Sequence, residues 1–498
     1  MNVNPITRLD YPDPDVIRVE DTYYMVSTTM HFMPGCEILQ SFDLVHWEHA
    51  TYVYETLDHT DAQQLKSGQN IYGQGMWAAS LRYHEGRFYI CFVANDTRKT
   101  YLYTSEKIDG PWKKQLIEGF YHDGSLLFDE DGRNYIVYGN DEIWITELNE
   151  DLTAPKKDGL HRLLVSDHKN PKLGYEGSHI QKINGYYYIF LIHSLRDRWM
   201  RTEACFYSDS LEGEFTGGDV LCDDRGYCGQ GVAQGGIVDT PDGKWYAMLF
   251  QDSGAVGRLP ILLPVTWKDH FPFFGQNGHV PEEIEVHSTR PGYIYQPLVG
   301  SDDFCNGLLP RWQFNHDPDP QYYHLDALQG TYTITTREVC TELTQAVNTL
   351  TQRMSYPSCA AEVTVDASAL KEGDVAGLCA FQGCYAAVGI TKHHGKYEVL
   401  MLDKKEDGIL DMTEGTVVES HQMDFRLEAD FCNMKDEARC YYRVNKGDWL
   451  PIGTVHKLYF KLDHFTGCRF GLFCYAAEET GGSACFRDFK YYDVDEIS

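Results

Sequence analysis

A unit of ten or eleven residues occurs five times in the first half of the chain and limits the folds it can adopt. Each copy has a short apolar run, a turn containing Gly or Asp, and an aromatic-rich run that ends in Tyr. The copies are Asp15–Tyr24, Ser80–Tyr89, Ser125–Tyr135, Ser178–Tyr188 and Gly236–Tyr246, so they start 45–65 residues apart. This spacing is typical of a radial β-array in which each repeat contributes one four-stranded blade.

The turns inside the copies support antiparallel strands. Four copies carry a dipeptide that favours a tight hairpin between β-branched and aromatic runs: Glu85-Gly86, Asp131-Gly132, Asn184-Gly185 and Asp242-Gly243. Extended helical periodicity is almost absent. The pattern therefore predicts an all-β fold with a five-bladed β-propeller over residues 1–298.

The pattern changes after residue 290. Pro291-Gly292 and Gly300 indicate a linker, and several alternating apolar runs follow it, among them 359–367, 397–402, 458–465, 469–476 and 484–494. Many short strands without helix predict a β-sandwich over residues 299–498, of the jelly-roll, concanavalin-A-like kind. No catalytic constellation is visible in this part, so we expect a structural role, and the sequence leaves open whether the sandwich also walls one side of the propeller pocket.

The residue two places before each repeat carries a chemical signal. These residues are Asp13, Ala78, Asp123, Glu176 and Gln234, and three of the five are carboxylates. If each repeat opens with the strand nearest the propeller axis, equivalent positions converge at one end of that axis. The alternative is that the acids only cap turns or strands, as acids often do. Three acids at one repeat offset favour a shared functional pocket.

Two carboxylates across a pocket are suited to cleaving glycosidic bonds, since one protonates the leaving oxygen and the other activates water. Prolines on both sides of Asp13 hold its backbone extended, as a fixed base requires. Glu176 has Tyr175 beside it, and an apolar neighbour favours the protonated form of an acid. Asp123 is the third member, expected to keep the proton on Glu176 and to orient it.

The overall charge limits the classes of partner that the chain is expected to bind. The formal net charge is −31, which repels nucleic acid and anionic membranes and favours a neutral ligand. No basic-then-apolar leader and no apolar run of about 20 residues is present. The 15 Cys lack metal-ligand spacing, so we expect reduced thiols in a cytoplasmic protein.

Several further motifs accompany the repeats: Asn4-Pro5, Tyr11-Pro-Asp-Pro-Asp15, Ser27-Thr28, Pro34-Gly35, Ser41–Trp47, Met76-Trp-Ala-Ala-Ser80, His122–Leu126, Tyr175-Glu-Gly177 and Gly257-Arg258. With them the chain resembles glycoside hydrolase family 43, whose members include inverting β-xylosidases and α-L-arabinofuranosidases on five-bladed propellers. The resemblance spans the whole chain, because a C-terminal sandwich is typical of one branch of that family.

The resemblance implies a role for each of eight residues. Asp13 matches the general base, Glu176 the general acid, and Asp123 the acid that tunes and orients the general acid. Arg258 matches an arginine that reaches the sugar or the tuning acid, and Trp77 a wall for the terminal sugar. His31 and Phe32 fall in a loop that lines the pocket in the family. Gln234 stands where many members carry an axial His tied to calcium or another cation.

The departure at Gln234 weakens a metal assignment. A neutral amide can still bond water or sugar, and acid–base hydrolysis requires no cofactor. We therefore predict no metal ligands and no required cofactor, with a structural calcium near the axis unsupported by the sequence.

The leading hypothesis is an exo-acting, inverting hydrolase that removes terminal arabinofuranosyl or xylosyl units from hemicellulose oligosaccharides such as xylan or arabinoxylan fragments. The run 229–236 with Arg258 resembles the arabinofuranosidase-rich branch slightly more. Two alternatives remain: a retaining β-fructosidase-like enzyme, whose Arg-Asp-Pro and Glu-Cys motifs are missing, and a sugar-binding propeller without catalysis. The sequence also allows a homo-oligomer.

Overall fold

The computed structural model describes residues 3–493, and nearly all its regular structure is β-strand. Five four-stranded antiparallel sheets form the blades of the propeller, and two larger sheets form a concanavalin-A-like sandwich behind them. Both folds predicted from the sequence are confirmed. The predicted boundary between residues 298 and 299 lies in the segment between the last propeller strand and the first sandwich strand.

Strands are numbered in chain order. Blade one contains β1 (Asp15–Val19), β2 (Thr22–Val26), β4 (Gly35–Ser41) and β5 (Glu48–Tyr54), whereas β3 (Phe32–Met33) leaves it. Blade two contains β6 (Met76–His84), β7 (Arg87–Ala94), β8 (Lys99–Ser105) and β9 (Lys113–Ile117). Blade three contains β10 (Ser125–Phe128), β11 (Asn134–Asn140), β12 (Glu142–Leu148) and β13 (His161–Ser166). Blade four contains β14 (Glu176–Ile183), β15 (Tyr186–Ser194), β16 (Arg201–Ser208) and β17 (Thr216–Leu221). Blade five contains β18 (Ala233–Asp239), β19 (Trp245–Asp252), β20 (Arg258–Lys268) and β21 (Phe271–Phe274).

The sandwich has one nine-stranded and one seven-stranded sheet. The first contains β3, β22 (Gln313–Asn315), β25 (Leu350–Arg353), β35 (Arg469–Tyr475), β27 (Val375–Phe381), β28 (Tyr385–His393), β29 (Lys396–Lys404), β30 (Leu410–Met412) and β31 (Thr416–Val418). The second contains β23 (Tyr323–Asp326), β24 (Thr331–Thr335), β36 (Ser483–Asp493), β26 (Ser358–Asp366), β32 (Gln422–Asp430), β33 (Glu437–Arg443) and β34 (Leu450–Lys457). Four 3₁₀ turns complete the regular structure: Lys66–Gly68, Gly254–Val256, Leu343–Gln345 and Cys432–Met434.

The two folds share a sheet. Strand β3, from the propeller sequence, pairs with β22 at the edge of the nine-stranded sheet. A buried ion pair also crosses the junction, between Arg353 of β25 and Glu37 of β4, at 2.8 Å. Main-chain pairing and a desolvated ion pair both require accurate geometry, so the sandwich is held in one orientation against the propeller.

The first residues of the first three repeats, Asp15, Ser80 and Ser125, tie neighbouring blades together at the axis. The Asp15 carboxylate accepts a hydrogen bond from the Leu81 backbone N–H at 2.7 Å. One blade further on, the Ser80 hydroxyl accepts from Leu126 N–H at 3.2 Å, and Ser125 then accepts from Ile180 N–H at 3.0 Å. These hydrogen bonds fix the innermost strands of blades one to four relative to one another.

The residue two places before each repeat has an unusual backbone conformation. Asp13, Ala78, Asp123 and Gln234 all have positive φ angles, and in blade four the positive φ falls one residue later, at Gly177. The extended backbone predicted for Asp13 from its flanking prolines is therefore wrong. In blades two, four and five this position lies in a β-bulge of the innermost strand. Bulges and left-handed residues redirect side chains next to active sites. The shared offset thus has a shared backbone cause.

Two further findings bear on the sequence predictions. Within residues 3–493, no helix is long and apolar enough to cross a membrane. All 15 Cys are free thiols, and nine of them are buried.

Candidate active site

Three acids from three blades meet at one end of the propeller. Asp13 precedes β1, Asp123 precedes β10, and Glu176 opens β14. The Asp123 carboxylate accepts from the Gly177 backbone N–H at 3.0 Å, and His122 Nε2 lies 3.5 Å from Asp123 Oδ2 and 3.8 Å from Glu176 Oε2. The Asp13 charge acts on both Asp123 and His122, so the convergence that the repeat offset predicts is present in the structure.

Two hydrogen bonds hold the Asp13 side chain, a charge-assisted one from Arg258 and a short one from Thr28. Arg258 Nη1 donates to Oδ1 at 2.9 Å, and the Thr28 hydroxyl donates to Oδ2 at 2.6 Å. Thr28 in turn accepts from the Ala78 backbone N–H at 2.8 Å, which fixes the hydroxyl. Donors to both oxygens fix the orientation of the carboxyl group. Arg258 thus bonds Asp13, whereas the resemblance implied a contact with the sugar or with Asp123.

Glu176 is the most accessible of the three acids. Its side chain is 22% exposed, whereas those of Asp13 and Asp123 are 9% and 7% exposed. Asn140 Nδ2 donates to Glu176 Oε2 at 2.7 Å, and His122 faces the same oxygen. Within residues 3–493, the other oxygen, Oε1, accepts no hydrogen bond.

The electrostatics of Asp123 differ from those of an ordinary surface acid. Burial raises its pKa to about 6, and the nearby Glu176 and Asp13 charges add to the rise, while His122 opposes it. The same field, chiefly that of Asp123, raises the pKa of His122 to about 9. At neutral pH an imidazolium thus lies between Asp123 and Glu176.

A second arginine joins the site from the start of β16. Arg201 forms an ion pair with Asp252, and Asp252 Oδ1 lies 3.4 Å from Arg258 Nε. Burial and the neighbouring Arg258 lower the pKa of Arg201 to about 9, while Glu176 and Asp13 act against that change. Three cationic groups among four carboxylates leave little net charge, which suits a neutral ligand.

The sandwich contributes aromatic walls to this pocket. The segment between β34 and β35 brings the Phe465 ring to 4.3 Å from Arg258 Cζ, with Phe460 at 5.8 Å. Trp77 packs against Phe465, with ring centroids 5.6 Å apart, and lies 6.2 Å from His122. Rings of this kind offer apolar faces for the C–H groups of a sugar.

Replacing Phe465 with Ala is expected to lower kcat/KM by about three- to thirtyfold, because an aromatic ring over a guanidinium contributes roughly 0.5–2 kcal/mol. The loss arises from a looser Arg258 and a missing pocket wall. Steady-state kinetics on an aryl glycoside would measure it, with Phe273→Ala as the control, since Phe273 is half exposed on β21. Equal kinetics in Phe465→Ala and the wild type would contradict a role for the sandwich in the pocket.

The remaining predicted residues are in different surroundings. Gln234 packs against Gly177, where an added Cβ would lie 2.7 Å from the Gln234 amide carbon, so its side chain is next to Glu176. His31 and Phe32 are fully buried, with rings against Tyr72 and against Arg469 of the sandwich. They therefore offer no surface to a ligand, because β3 carries them into the nine-stranded sheet.

One group of side chains has the proximity that a metal site needs. Within residues 3–493, only His122, Asp123 and Glu176 place potential ligand atoms within 4.8 Å of one another. One imidazole and two carboxylates fall short of the roughly six to eight oxygen ligands that Ca²⁺ takes. Protonation of His122 also removes the lone pair that a metal requires. The donor set fits acid–base chemistry better, and the absence of a required cofactor stays a prediction.

Several contributors were missed from the sequence. Asn140 and Arg201 lie at the ends of second and third strands, outside the repeated unit, so its offset does not reach them. Phe460 and Phe465 come from the other fold, in a run that indicated only a strand. His122 is next to Asp123 in the motif His122–Leu126, and this adjacency was the signal that could have identified it as part of the site.

Two family profiles match the chain in tandem. The profile described as glycosyl hydrolases family 43 matches residues 3–272, and the one described as beta xylosidase C-terminal concanavalin A-like domain matches residues 301–492. The two segments correspond to the propeller and the sandwich.

Known proteins similar to this chain carry related names. It is 26% identical to a beta-xylosidase of Formosa agariphila, over 99% of this chain and 89% of that protein. It is 24% identical to a non-reducing end alpha-L-arabinofuranosidase of Bacteroides ovatus, over 82% of this chain and 79% of that protein. A solved structure of a bifunctional GH43-CE protein of Bacteroides eggerthii matches with a TM-score of 0.92 and 42% identity. That match covers 98% of this chain and 63% of the other, so the chain spans less than two thirds of that protein.

Proposed function

The chain belongs to glycosyl hydrolase family 43 and is a glycoside hydrolase, and from this premise we propose that it removes single terminal pentoses by inverting hydrolysis. The observation that carries the proposal is the convergence of two acids with different hydrogen bonding. Arg258 and Thr28 bond both oxygens of Asp13, whereas within residues 3–493 Glu176 accepts a hydrogen bond only at Oε2, from Asn140. Such a pair supplies a base and an acid in one pocket.

The proposed reaction uses the two carboxyl groups on opposite sides of the sugar. Glu176, protonated on Oε1, donates to the glycosidic oxygen as its bond to the anomeric carbon breaks. Asp13 accepts a proton from a water that attacks the anomeric carbon from the other face. Room for this water requires the two carboxyl groups to be about 6.5–9.5 Å apart. Asp123 carries negative charge near Glu176, which helps retain the proton until transfer.

Exo action is supported by the shape of the site. Asp13 and Asp123 are each only 7% exposed, so the reacting end of the sugar must enter a narrow pocket. The rings of Phe465 and Trp77 are in contact on one side of it. Limited access to the acids favours a chain end over the interior of a polymer, which fits removal of terminal units.

The substrate class we propose is a hemicellulose oligosaccharide with a terminal α-L-arabinofuranosyl or β-D-xylosyl unit. Names of both kinds occur among the similar proteins, one a beta-xylosidase and one an alpha-L-arabinofuranosidase. The two sugars present similar groups in space, so one pocket can accept either. For a cytoplasmic enzyme, which we also propose, the substrates are short oligomers that have been imported.

The direct test is hydrolysis of an aryl α-L-arabinofuranoside and an aryl β-D-xyloside by the purified chain. We expect turnover of at least one, and the ratio of the two kcat/KM values identifies the preferred sugar. If the folded protein turns over neither, a different glycoside or sugar binding without catalysis replaces this proposal. Titration with xylose and arabinose would then separate those two.

Replacing His122 with Asn is expected to move the acidic limb of the pH–rate profile to higher pH. His122 carries positive charge and lowers the pKa of Asp123, which is about 6 in its presence. Without that charge, Asp123 takes up a proton at higher pH as the solution is acidified, and its support of Glu176 is lost earlier. The measurement is kcat/KM against pH for both proteins. An unchanged or downward-shifted limb would contradict this role.

A further inference from the structure

An exposed tryptophan lies at the end of the propeller where the acids meet. Of the tryptophans within residues 3–493, Trp199 alone belongs to the strongly exposed side chains, with 47% of its surface accessible. It lies between β15, which ends at Ser194, and β16, which begins at Arg201. Because β14 starts at Glu176 and the strands alternate in direction, this connection is at the same end of blade four as Glu176.

The connection that carries Trp199 is anchored at both ends. The Leu195 backbone N–H donates to the Met200 carbonyl at 3.0 Å, and the Met200 side chain is buried. Arg196 also forms an ion pair with the buried Asp167. The indole is therefore presented on a short, braced loop, and its exposure is not the result of a free chain end.

Trp199 is joined to the reaction centre by a chain of contacts. Arg201 Cζ lies 5.4 Å from the centre of the Trp199 ring, within reach of a cation–π interaction. Arg201 pairs with Asp252, which contacts Arg258, and Arg258 bonds Asp13. The Arg201 guanidinium lies near the Trp199 indole. The solvent-accessible part of the ring remains available to a ligand.

The position in blade four decides which part of the substrate would meet this ring. Glu176 opens the innermost strand of the same blade and, as the proposed acid, faces the glycosidic oxygen that leaves. The unit attached to that oxygen lies beyond Glu176, away from Asp13. The exposed indole is on Glu176's own blade and at the same end of it, and its assignment to the leaving-group side rests on that placement. Its flat apolar face matches the C–H face of a neutral pyranose ring.

We propose that Trp199 is the platform of a leaving-group subsite, which binds the neutral sugar next to the scissile bond by stacking. The proposal rests on the proposed function, because it needs Glu176 as the acid. Stacking on the second sugar favours substrates with at least two units over the cleaved sugar alone. Trp199 therefore selects the leaving group without taking part in proton transfer.

The test compares two kinds of substrate in Trp199→Ala. One is the shortest oligosaccharide that the wild type cleaves, a xylobiose or an arabinosyl-xylobiose, and the other is the matching glycosyl fluoride, which has no second sugar. We expect kcat/KM on the oligosaccharide to fall about tenfold, chiefly through KM, while the fluoride is hydrolysed as by the wild type. Trp199→Phe should recover most of the loss, since it keeps a ring.

The matched control is Trp449→Ala, which removes an indole from the turn before β34 of the sandwich, under Arg443. It should leave both substrates unaffected. Equal losses on oligosaccharide and fluoride, or no loss on the oligosaccharide, would overturn the subsite. If the wild type hydrolyses neither substrate, the proposed function fails and this inference fails with it.

Discussion

Replacing Glu176 with Gln is expected to lower kcat on unsubstituted oligosaccharides by about 10²–10⁴-fold, the usual contribution of a positioned general acid. Gln keeps the size of the side chain and its contact with Asn140 but cannot donate a proton. On a dinitrophenyl glycoside, whose leaving group departs without protonation, the loss should be far smaller. Parallel steady-state kinetics on the two substrates measure this difference.

Glu85→Gln is a suitable control, because Glu85 is exposed in the turn between β6 and β7, at the opposite end of its blade. It should match the wild type on both substrates. Losses of equal size on good and poor leaving groups in Glu176→Gln would mean that Glu176 does not protonate the leaving oxygen.

Replacing Asp13 with Asn is expected to reduce turnover by about 10²–10⁴-fold on every leaving group, because activation of the attacking water is lost whichever bond breaks. The change preserves the shape of the side chain, so Arg258 keeps an acceptor oxygen at Oδ1, and the new amide NH2 can donate to the Thr28 hydroxyl. Thermal unfolding should therefore stay close to that of the wild type. Kinetics on the aryl and oligosaccharide substrates, beside a melting curve, measure both.

Rescue by azide provides a second test of the role of Asp13, using the Asp13→Asn variant. A small anion that needs no base can take the place of water, and it should restore bond cleavage with an activated substrate. The product should be a glycosyl azide of inverted configuration. A folded Asp13→Asn protein that retains wild-type rates in buffer alone would remove Asp13 from the role of base.

The repeat explains why much of the site was predictable. The offset that places Asp13, Asp123 and Glu176 together is a property of each blade, set by a left-handed residue or bulge before the innermost strand. A local backbone feature that recurs five times leaves a local signal in the sequence. The propeller itself was predictable for the same reason, since each hairpin is encoded by its own turn and alternating strands.

Contacts between the two folds left no such signal. Phe465 reaches Arg258 only because β3 extends the nine-stranded sheet and fixes the sandwich against the propeller. The same pairing accompanies the complete burial of His31 and Phe32, although their place in the chain suggested that they line the pocket. Pairing between strands almost 300 residues apart depends on the whole fold, which a short motif does not describe.

Individual partners of the acids were only partly predictable. Arg258 was expected near the site and is there, but it bonds Asp13, because β20 starts beside the segment that precedes β1. Asn140 and Arg201 complete the site from strand ends where polar residues are common. Nothing in their local sequence separates them from other polar residues at strand ends.

The most direct test of the proposed chemistry is the configuration of the first product, followed by proton NMR during rapid hydrolysis of a β-D-xyloside or α-L-arabinofuranoside. Attack of water activated by Asp13, on the face opposite Glu176, predicts that the inverted anomer forms first and only later equilibrates. Initial formation of the retained anomer would mean a covalent intermediate, with carboxyl groups about 5 Å apart, and would contradict Asp13 as a general base.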